Sequence, residues 1–179
     1  HTMKIFDMHI HARGLEPCPE RLLAEMEAAG VWGGCVFSNH PVEGTEPGGS
    51  DFETRVNEVL LWTRGHEDRL FPVLWIHPDE ENIIEKVRIA AERGIAAFKI
   101  ICEDFYVYDE PCMSVLREIA KLNKPVIFHT GILWDGAVSS NYNRPLNWEH
   151  LLEIDGLRYG FLTCYDFYFY EAFAKIARE

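Results

Sequence analysis

Two histidines near the start of the chain have the spacing of a metal site. His9 and His11 stand two residues apart at the end of the apolar segment Ile5–Ile10, and Asp7 precedes them. Side chains two apart on a β-strand point to the same face, so both imidazoles are expected to project together. Two ring nitrogens at this spacing can share one cation at about 2.0–2.1 Å each. The pattern predicts a divalent metal site, and the alternative is a pair of solvent-facing histidines at a strand end.

A third histidine ends a later apolar segment. His129 directly follows Pro125–Phe128 and precedes Thr130 and Gly131. Taken alone, such a histidine is more often a hydrogen-bonded core residue, but combined with the first pair it is the predicted third metal ligand. Three protein ligands leave an open coordination position, which is typical of catalytic sites. A metal held there would lower the pKa of a bound water toward about 7 and polarise a substrate carbonyl.

Two further polar residues belong to apolar strands and are candidate catalytic residues. Lys99 lies inside Ala97–Ile101, and a buried ammonium needs a partner, a shifted pKa or chemical modification. It is expected to be a carbamylated lysine that bridges two metals, a cationic contact to an anionic substrate, or a lysine that snorkels at the strand end. His77 follows Leu74–Ile76 and either lines the pocket or caps the next turn.

The candidate substrate-binding residues lie in loops that follow these strands. Arg13 comes shortly after the paired histidines, and Trp134 and Asp135 stand in a long loop after His129. Tyr106 follows the strand that carries Lys99. The alternatives are a solvated loop for Trp134 and Asp135, and plain aromatic packing for Tyr106.

The elements that must position these residues alternate along the chain. The predicted strands are Ile5–Ile10, Cys35–Ser38, Leu70–Ile76, Ala96–Cys102, Pro125–His129 and Tyr159–Cys164. The predicted helices are Pro19–Ala29, a helix capped by Asp51, a helix from the cap Asp79 to Arg93, Pro111–Leu122, Leu146–Ile154 and Asp166–Arg178. Strands that are apolar on both faces and separated by helices predict an α/β, TIM-barrel-like fold with parallel strands and outer helices. Six such units fall short of the usual eight in about 250 residues, so an incomplete barrel or an open sheet is expected.

Composition narrows the class of protein. The 179 residues fit one domain, expected over 4–179, and residues 1–3 read as a cloning remnant before a natural start. The formal net charge of −12 disfavours nucleic acid and anionic membranes as partners. Five cysteines without CxxC spacing favour free thiols in a reducing, cytoplasmic compartment. No apolar run reaches the roughly 20 residues that a membrane helix needs.

Four segments together resemble the amidohydrolase superfamily, in its amidohydrolase-2 branch of metal-dependent TIM-barrel hydrolases. The matching segments are Phe6–His11, Ala97–Ile100, Tyr108–Met113 and Pro125–Gly131, in the order and spacing of that branch. The resemblance implies that His9, His11 and His129 bind a divalent metal, with zinc expected. It also implies hydrolysis of C–N or C–O bonds, or decarboxylation in a related group.

The sequence departs from this family pattern in two places. Tyr159–Cys164 has no histidine where a strand-six ligand is expected, and no segment corresponds to the aspartate of strand eight. We expect either a piece of a longer protein or a shortened relative. The predicted function is a metal-dependent hydrolase of a small amide, ester or lactone. The alternatives are a metal-dependent decarboxylase of a small aromatic or unsaturated acid, and a degenerate barrel that binds a metal or a partner. An incomplete barrel leaves sheet edges to cover, so a homo-oligomer is also expected.

Overall fold

Five parallel strands and the helices between them form one curled sheet. The computed structural model of the chain describes residues 4–11, 16–44, 47–130 and 141–153. In chain order its elements are β1 Ile5–His11, α1 Pro19–Ala28, β2 Val31–Phe37, α2 Phe52–Thr63, β3 Leu70–Trp75, α3 Ile83–Glu92, β4 Ala97–Ile100, α4 Glu110–Lys121, β5 Val126–Phe128 and a 3-10 helix Pro145–Glu153. The strands lie in the order β1-β2-β3-β4-β5, and every neighbouring pair is parallel. The sheet is a curled half-barrel with helices, which confirms the predicted fold class.

Both faces of the sheet are apolar, and each packs against a different set of side chains. The outer face packs under the helices, so that Val36, Leu74 and Phe98 share one core cluster with Val56 of α2 and Leu116 of α4. The inner face carries a smaller cluster of Cys35, Phe37, Val73 and Ala97, packed against Phe6, Phe71 and Ile127. Because both faces are covered, the central strands read as continuous apolar runs. The inner face is the one on which polar residues stand out.

The predicted element bounds hold within a few residues where the structure describes them. The largest difference is β2, which begins at Val31 because Val31 and Gly33 already pair with Ile5 and Phe6 of β1. The predicted helix Leu146–Ile154 is a 3-10 helix, Pro145–Glu153. The predicted strand Tyr159–Cys164 and the helix Asp166–Arg178 lie outside the described residues.

The predicted helix cap at Asp79 is wrong. The N-cap of α3 is Asn82, in the left-handed region with a φ of 55°, and its side chain makes no capping hydrogen bond. Asp79 lies in the turn before the helix, where its backbone N–H donates to His77 Nδ1 at 3.2 Å. Glu80 closes the same turn, because its Oε1 accepts from His77 N at 2.9 Å. These side-chain bonds hold residues 77–80 in a turn and delay the start of the helix.

A buried ion pair joins the loops at the carboxyl ends of β2 and β3. Arg55 and Glu80 are 0% and 1% exposed, and Arg55 Nη2 lies 2.5 Å from Glu80 Oε2. Arg55 also donates to Ser50 O at 2.9 Å and to Trp75 O. One fully buried guanidinium therefore ties the loop before α2 to the end of β3 and to the turn after it.

The two outer strands are less covered than the central ones. β1 is exposed at most positions, with Ile5 at 49% and Met8 at 40%, whereas every residue of β4 is buried. All three residues of β5 are partly buried. Among the described residues, Cys18, Cys35, Cys102 and Cys112 are free thiols. No helix in the described ranges has the length and apolar character needed to cross a membrane.

Candidate metal centre

A bulge in β1 turns His9 and His11 onto the inner face of the sheet. Between the pairs Asp7↔Gly34 and Ile10↔Val36, β1 advances three residues while β2 advances two. The extra residue shifts the alternation, as β-bulges do. The His9 and His11 ring centroids then lie 4.6 Å apart. Asp7 stabilises the bulge, because its Oδ1 accepts from His9 N at 2.9 Å.

Gly34 makes room for this bulge on the neighbouring strand. A Cβ atom at Gly34 would lie 2.6 Å from both Asp7 O and Ile10 Cδ1. Side-chain atoms do not approach backbone that closely, so β1 and β2 pack here only with glycine on β2. The paired histidines thus depend on a glycine that lies on a different strand.

Phe37 is the aromatic centre around which the polar side chains gather. It lies in register with His11, and its ring centroid is 5.6 Å from that of His11 and 4.6 Å from that of His9. Lys99 Nζ lies over the same ring, 5.4 Å from its centroid. Sequence reasoning missed Phe37, although its place at the end of the second strand could have indicated it.

Lys99 is buried on the inner face. It pairs in register with Trp75 of β3 and Ile127 of β5, and only 3% of it is exposed. A lysine that snorkels to solvent would expose its ammonium, so that alternative does not describe Lys99. The side chain stands beside the metal candidates, and its role there stays a prediction.

His129 follows β5 at the same edge of the sheet. Its backbone N–H donates to Ile100 O at 3.1 Å, which extends the β4–β5 pairing by one residue. Its Nε2 is buried. It is also near enough to His9 for its charge to act on that ring. Two of the three predicted ligands thus lie on β1, and the third directly follows β5.

The surroundings of His9 favour its neutral form. Its pKa is lowered from 6.5 to about 4, first by partial removal from solvent and then by the positive charges of Lys99, His11 and His129. β1 as a whole is exposed, so this desolvation is local to the ring, which lies against Phe37 and His11. A neutral imidazole is the form that binds a metal ion.

The imidazole nitrogens of the three histidines are donor atoms that bind divalent cations. His9 and His11 are the best placed of them, because their rings are adjacent. His9 and His11 present adjacent imidazoles from one strand. Within the described ranges, no three His, Cys, Asp or Glu side chains already converge as a complete ligand set. Within the described residues, His9 and His11 therefore form a two-histidine binding site for a cation. His129 would have to move toward this pair when a cation binds.

His77 is buried where the turn after β3 meets the loop after β4. It is 3% exposed, its ring meets Phe105 edge-on at 5.0 Å, and its Nε2 lies 3.4 Å from Asp104 Oδ1. Its contacts are with the turn after β3 and the loop after β4, and it caps the turn through Asp79 N. His77 therefore caps the turn that follows β3, which was one of its two predicted roles. A catalytic role of His77 stays a prediction.

Tyr106 lies in a group of three tyrosines. Its ring stacks on Tyr108 at 4.9 Å with an interplanar angle of 8°, and meets Tyr142 at 4.8 Å. Its backbone N–H donates to Asp109 Oδ2 at 2.8 Å, beside the start of α4. This is aromatic packing between the loop after β4 and the segment before the 3-10 helix, and substrate binding by Tyr106 stays a prediction.

Three predicted substrate-binding residues, Arg13, Trp134 and Asp135, lie outside the described residues. Sequence reasoning overlooked the buried polar residues His40 and Glu103, which are 2% and 3% exposed. Each comes shortly after a strand, and that position was the available signal. A Cβ at Gly44 would lie 3.4 Å from Glu103 Oε2, so this carboxylate lies against the loop after β2.

Known proteins resemble the chain in structure rather than in sequence. No protein-family model matches it, and no curated protein matches it in sequence. A probable 2-pyrone-4,6-dicarboxylic acid hydrolase from Acinetobacter baumannii, with citric acid bound, is 14% identical with a TM-score of 0.49, over 72% of this chain and 50% of that one. A 5-carboxyvanillate decarboxylase from Novosphingobium aromaticivorans, with manganese and 3-methoxy-4-hydroxy-5-nitrobenzoic acid bound, is 18% identical with a TM-score of 0.53 over 83% of this chain.

The chain spans at most half the length of these two proteins, at 50% and 42%. Sequence identities of 14% and 18% support a shared fold and carry no information about a shared activity. The likeness to the decarboxylase, with its TM-score of 0.53, supports the predicted TIM-barrel-like fold, which is the fold that the four sequence segments implied.

Proposed function

We propose that this chain is part of a metal-dependent enzyme that hydrolyses a small amide, ester or lactone. The observation that carries the proposal is the pair of adjacent imidazoles, His9 and His11, turned onto the inner face beside the buried Lys99. The pKa of His9 is lowered, so its ring favours the neutral form that binds metals, and it lies near the buried Lys99 at the carboxyl edge of a parallel half-barrel. Active sites of such barrels collect at that edge.

In this proposal His9 and His11 hold the cation and His129 completes its protein ligands. When bound, a divalent metal would supply Lewis-acid chemistry, polarising a carbonyl and lowering the pKa of water. Lys99 would bind negative charge on the substrate, and Phe37 would keep bulk water from the ligand rings. Arg13, Trp134, Asp135 and Tyr106 are proposed as substrate contacts.

Zinc is the proposed metal. Imidazole ligands suit zinc, but they also suit other first-row cations. The decarboxylase from Novosphingobium aromaticivorans contains manganese, which supports a divalent metal and leaves its identity to measurement.

The second candidate is a metal-dependent decarboxylase of a small aromatic or unsaturated acid. Lys99 favours it, because an ammonium near a bound cation is best accommodated when an anion lies between them. A substrate carboxylate could bind the metal cation and the Lys99 ammonium at the same time. The bound nitrobenzoic acid of the same decarboxylase supports a carboxylated aromatic ligand. Turnover of a lactone panel against an aromatic carboxylate panel separates the two activities, and tight metal binding without either would leave a non-catalytic barrel.

The first test is metal content, measured by elemental mass spectrometry on protein purified without chelator. We expect about one or two equivalents in the wild type and loss of the metal in the His9→Ala/His11→Ala double variant. His66→Ala is the matched control, because His66 lies before β3 with Glu20 as its ion-pair partner at 3.8 Å. Absence of metal from a well-folded wild type would sink the proposal.

A small-molecule substrate and a cytoplasmic location complete the proposal. The negative net charge supports the exclusion of nucleic acid and anionic membranes. Sedimentation with anionic vesicles and retention on heparin are simple checks, and binding to either would contradict it.

A further inference from the structure

We propose that the metal site binds its cation together with a small anion, and that the buried ammonium of Lys99 couples the two binding events. The inference rests on the proposed metal-dependent function and adds how the occupation of that site is regulated. It is carried by contacts that place Lys99 and the paired histidines against one aromatic ring, that of Phe37.

The strand register shows how Lys99 reaches the histidine pair. One row of in-register residues crosses from β1 to β4: His11, Phe37, Val73 and Ala97. Lys99 lies on β4 two residues beyond Ala97, and its side chain extends across β3, because its Nζ lies over the Phe37 ring on β2. Lys99 therefore carries its charge two strands toward β1, where His9 and His11 lie.

The ring of Phe37 holds this ammonium in place. A cation within about 6 Å of a ring centroid is attracted by the quadrupole of the ring, and more strongly when both are removed from water. Lys99 Nζ lies 5.4 Å from the centroid, and both residues are 3% exposed. The same ring lies 4.6 Å from the His9 ring and 5.6 Å from the His11 ring. Phe37 is thus a positioning residue that keeps a positive charge beside the two imidazoles.

A positive charge in this place opposes a second one. Burial is the first cause that lowers the pKa of His9 and the Lys99 charge is the next, so the two groups interact. A divalent cation on His9 and His11 would meet the same repulsion with twice the charge. An anion between the cation and the ammonium is attracted by both, and β1 is exposed at both histidines, so an anion can enter from solvent.

The coupling between cation and anion is reciprocal. If the anion raises the affinity for the cation by some factor, the cation raises the affinity for the anion by the same factor. Such couplings are typically about 5–150-fold. The site therefore binds a cation weakly by itself and tightly once a small anion, such as a carboxylate, is present.

The test measures the zinc affinity of the full chain by calorimetry, in a buffer without carboxylates, before and after addition of acetate. Acetate is small enough to reach a lysine that is 3% exposed, and acetamide has nearly the same shape without the charge. We expect acetate to tighten zinc binding at least about fivefold and acetamide to leave it unchanged. Zinc should tighten acetate binding by the same factor.

Lys99→Met removes the charge and keeps an apolar side chain of similar length. We expect it to bind zinc at least about tenfold more tightly than the wild type without acetate, and to lose the acetate effect. Lys121→Met is the matched control, because the Lys121 side chain is 72% exposed on α4. All variants meet the same zinc–acetate equilibrium in solution, so the differences between them report on the site.

Two substitutions of Phe37 separate positioning from packing. Phe37→Leu loses the quadrupole and should lose most of the acetate effect, whereas Phe37→Tyr keeps an aromatic face and should retain it. Val73→Ala is the packing control, because Val73 is in register with Phe37, belongs to the same inner cluster and is fully buried. It should lose stability and keep the acetate effect.

Each outcome decides between the inference and the proposed function. Equal zinc affinity with and without acetate, or equal affinity of Lys99→Met and Lys121→Met, would overturn the inference while the proposed function stands. A wild type that binds no zinc under either condition would refute both. Loss of the acetate effect in Val73→Ala as complete as in Phe37→Leu would show that Phe37 acts by packing alone.

Discussion

At the scale of residues, the site is a group of cationic and potentially cationic side chains around one aromatic ring. His9, His11 and Lys99 all lie against Phe37. Partial burial of the His9 ring lowers its pKa most, and the nearby positive charges of Lys99, His11 and His129 lower it further. The same arrangement that keeps His9 neutral also prepares it to bind a metal.

The metal-free protein should therefore lose stability as pH falls below neutral. The unfolded chain takes up a proton on His9 near pH 6.5, whereas the folded chain resists it until about pH 4. Between these values the unfolded state binds more protons, so the free energy of unfolding declines as pH drops through that window. Urea unfolding at pH 7.5, 6 and 5 measures this decline, and His9→Gln should show a shallower one. An unchanged slope in that variant would contradict the assigned pKa, and His66→Gln serves as the control.

At the scale of elements, the site depends on one irregular strand. β1 reaches the inner face with both histidines only because of its bulge, and the bulge packs only because Gly34 lacks a Cβ. The turn after β3 depends in the same way on the buried Arg55–Glu80 pair. The regular strands form the sheet, whereas the β1 bulge and the turn after β3 determine the direction of the side chains at the site.

Gly34→Ala should therefore reduce metal binding by displacing β1. Its new methyl group would meet Asp7 O and Ile10 Cδ1 at 2.6 Å, and neither strand can yield without moving the histidines. We expect a loss of at least about 1–3 kcal/mol of stability, the usual cost of overpacking, with weaker zinc affinity by calorimetry.

Gly30→Ala is the matched control for that variant. Gly30 has a φ of 74°, and a Cβ there would meet nothing within 4 Å. It should lose about 1–2 kcal/mol through backbone strain and keep its zinc affinity. If both variants keep full affinity, the bulge does not set the site.

At the scale of the whole molecule, the described sheet has two open edges. β1 and β5 each pair with one neighbour in the described structure, and both are less buried than the central strands. Open edges favour association with another chain. His9 and His11 lie on β1 and His129 directly follows β5, so a second chain that covers these edges would lie close to the site.

We expect the 20.7 kDa chain to form a homo-oligomer in solution through these edges. Light scattering coupled to gel filtration measures the mass, and Ile5→Lys, which charges the exposed edge of β1, should shift it toward the monomer. Leu61→Lys is the control, because Leu61 is 38% exposed on α2, away from the edge. A monodisperse wild-type monomer would contradict this expectation.

The sequence by itself determined the parallel α/β frame, the place of Lys99 inside a strand, and the strand-end positions of four histidines, His9, His11, His77 and His129. Apolar runs interrupted by a single polar residue are local signals, and strand ends follow directly from them. The role of Phe37 and the need for Gly34 are contacts between strands, which no local pattern encodes. The start of α3 at Ile83 and the pairing of His77 with Asp104 were likewise decided by side chains of two loops that meet only in the fold. Tertiary structure decides such features because a turn or a bulge is set by whichever distant group satisfies its hydrogen bonds and fills its space.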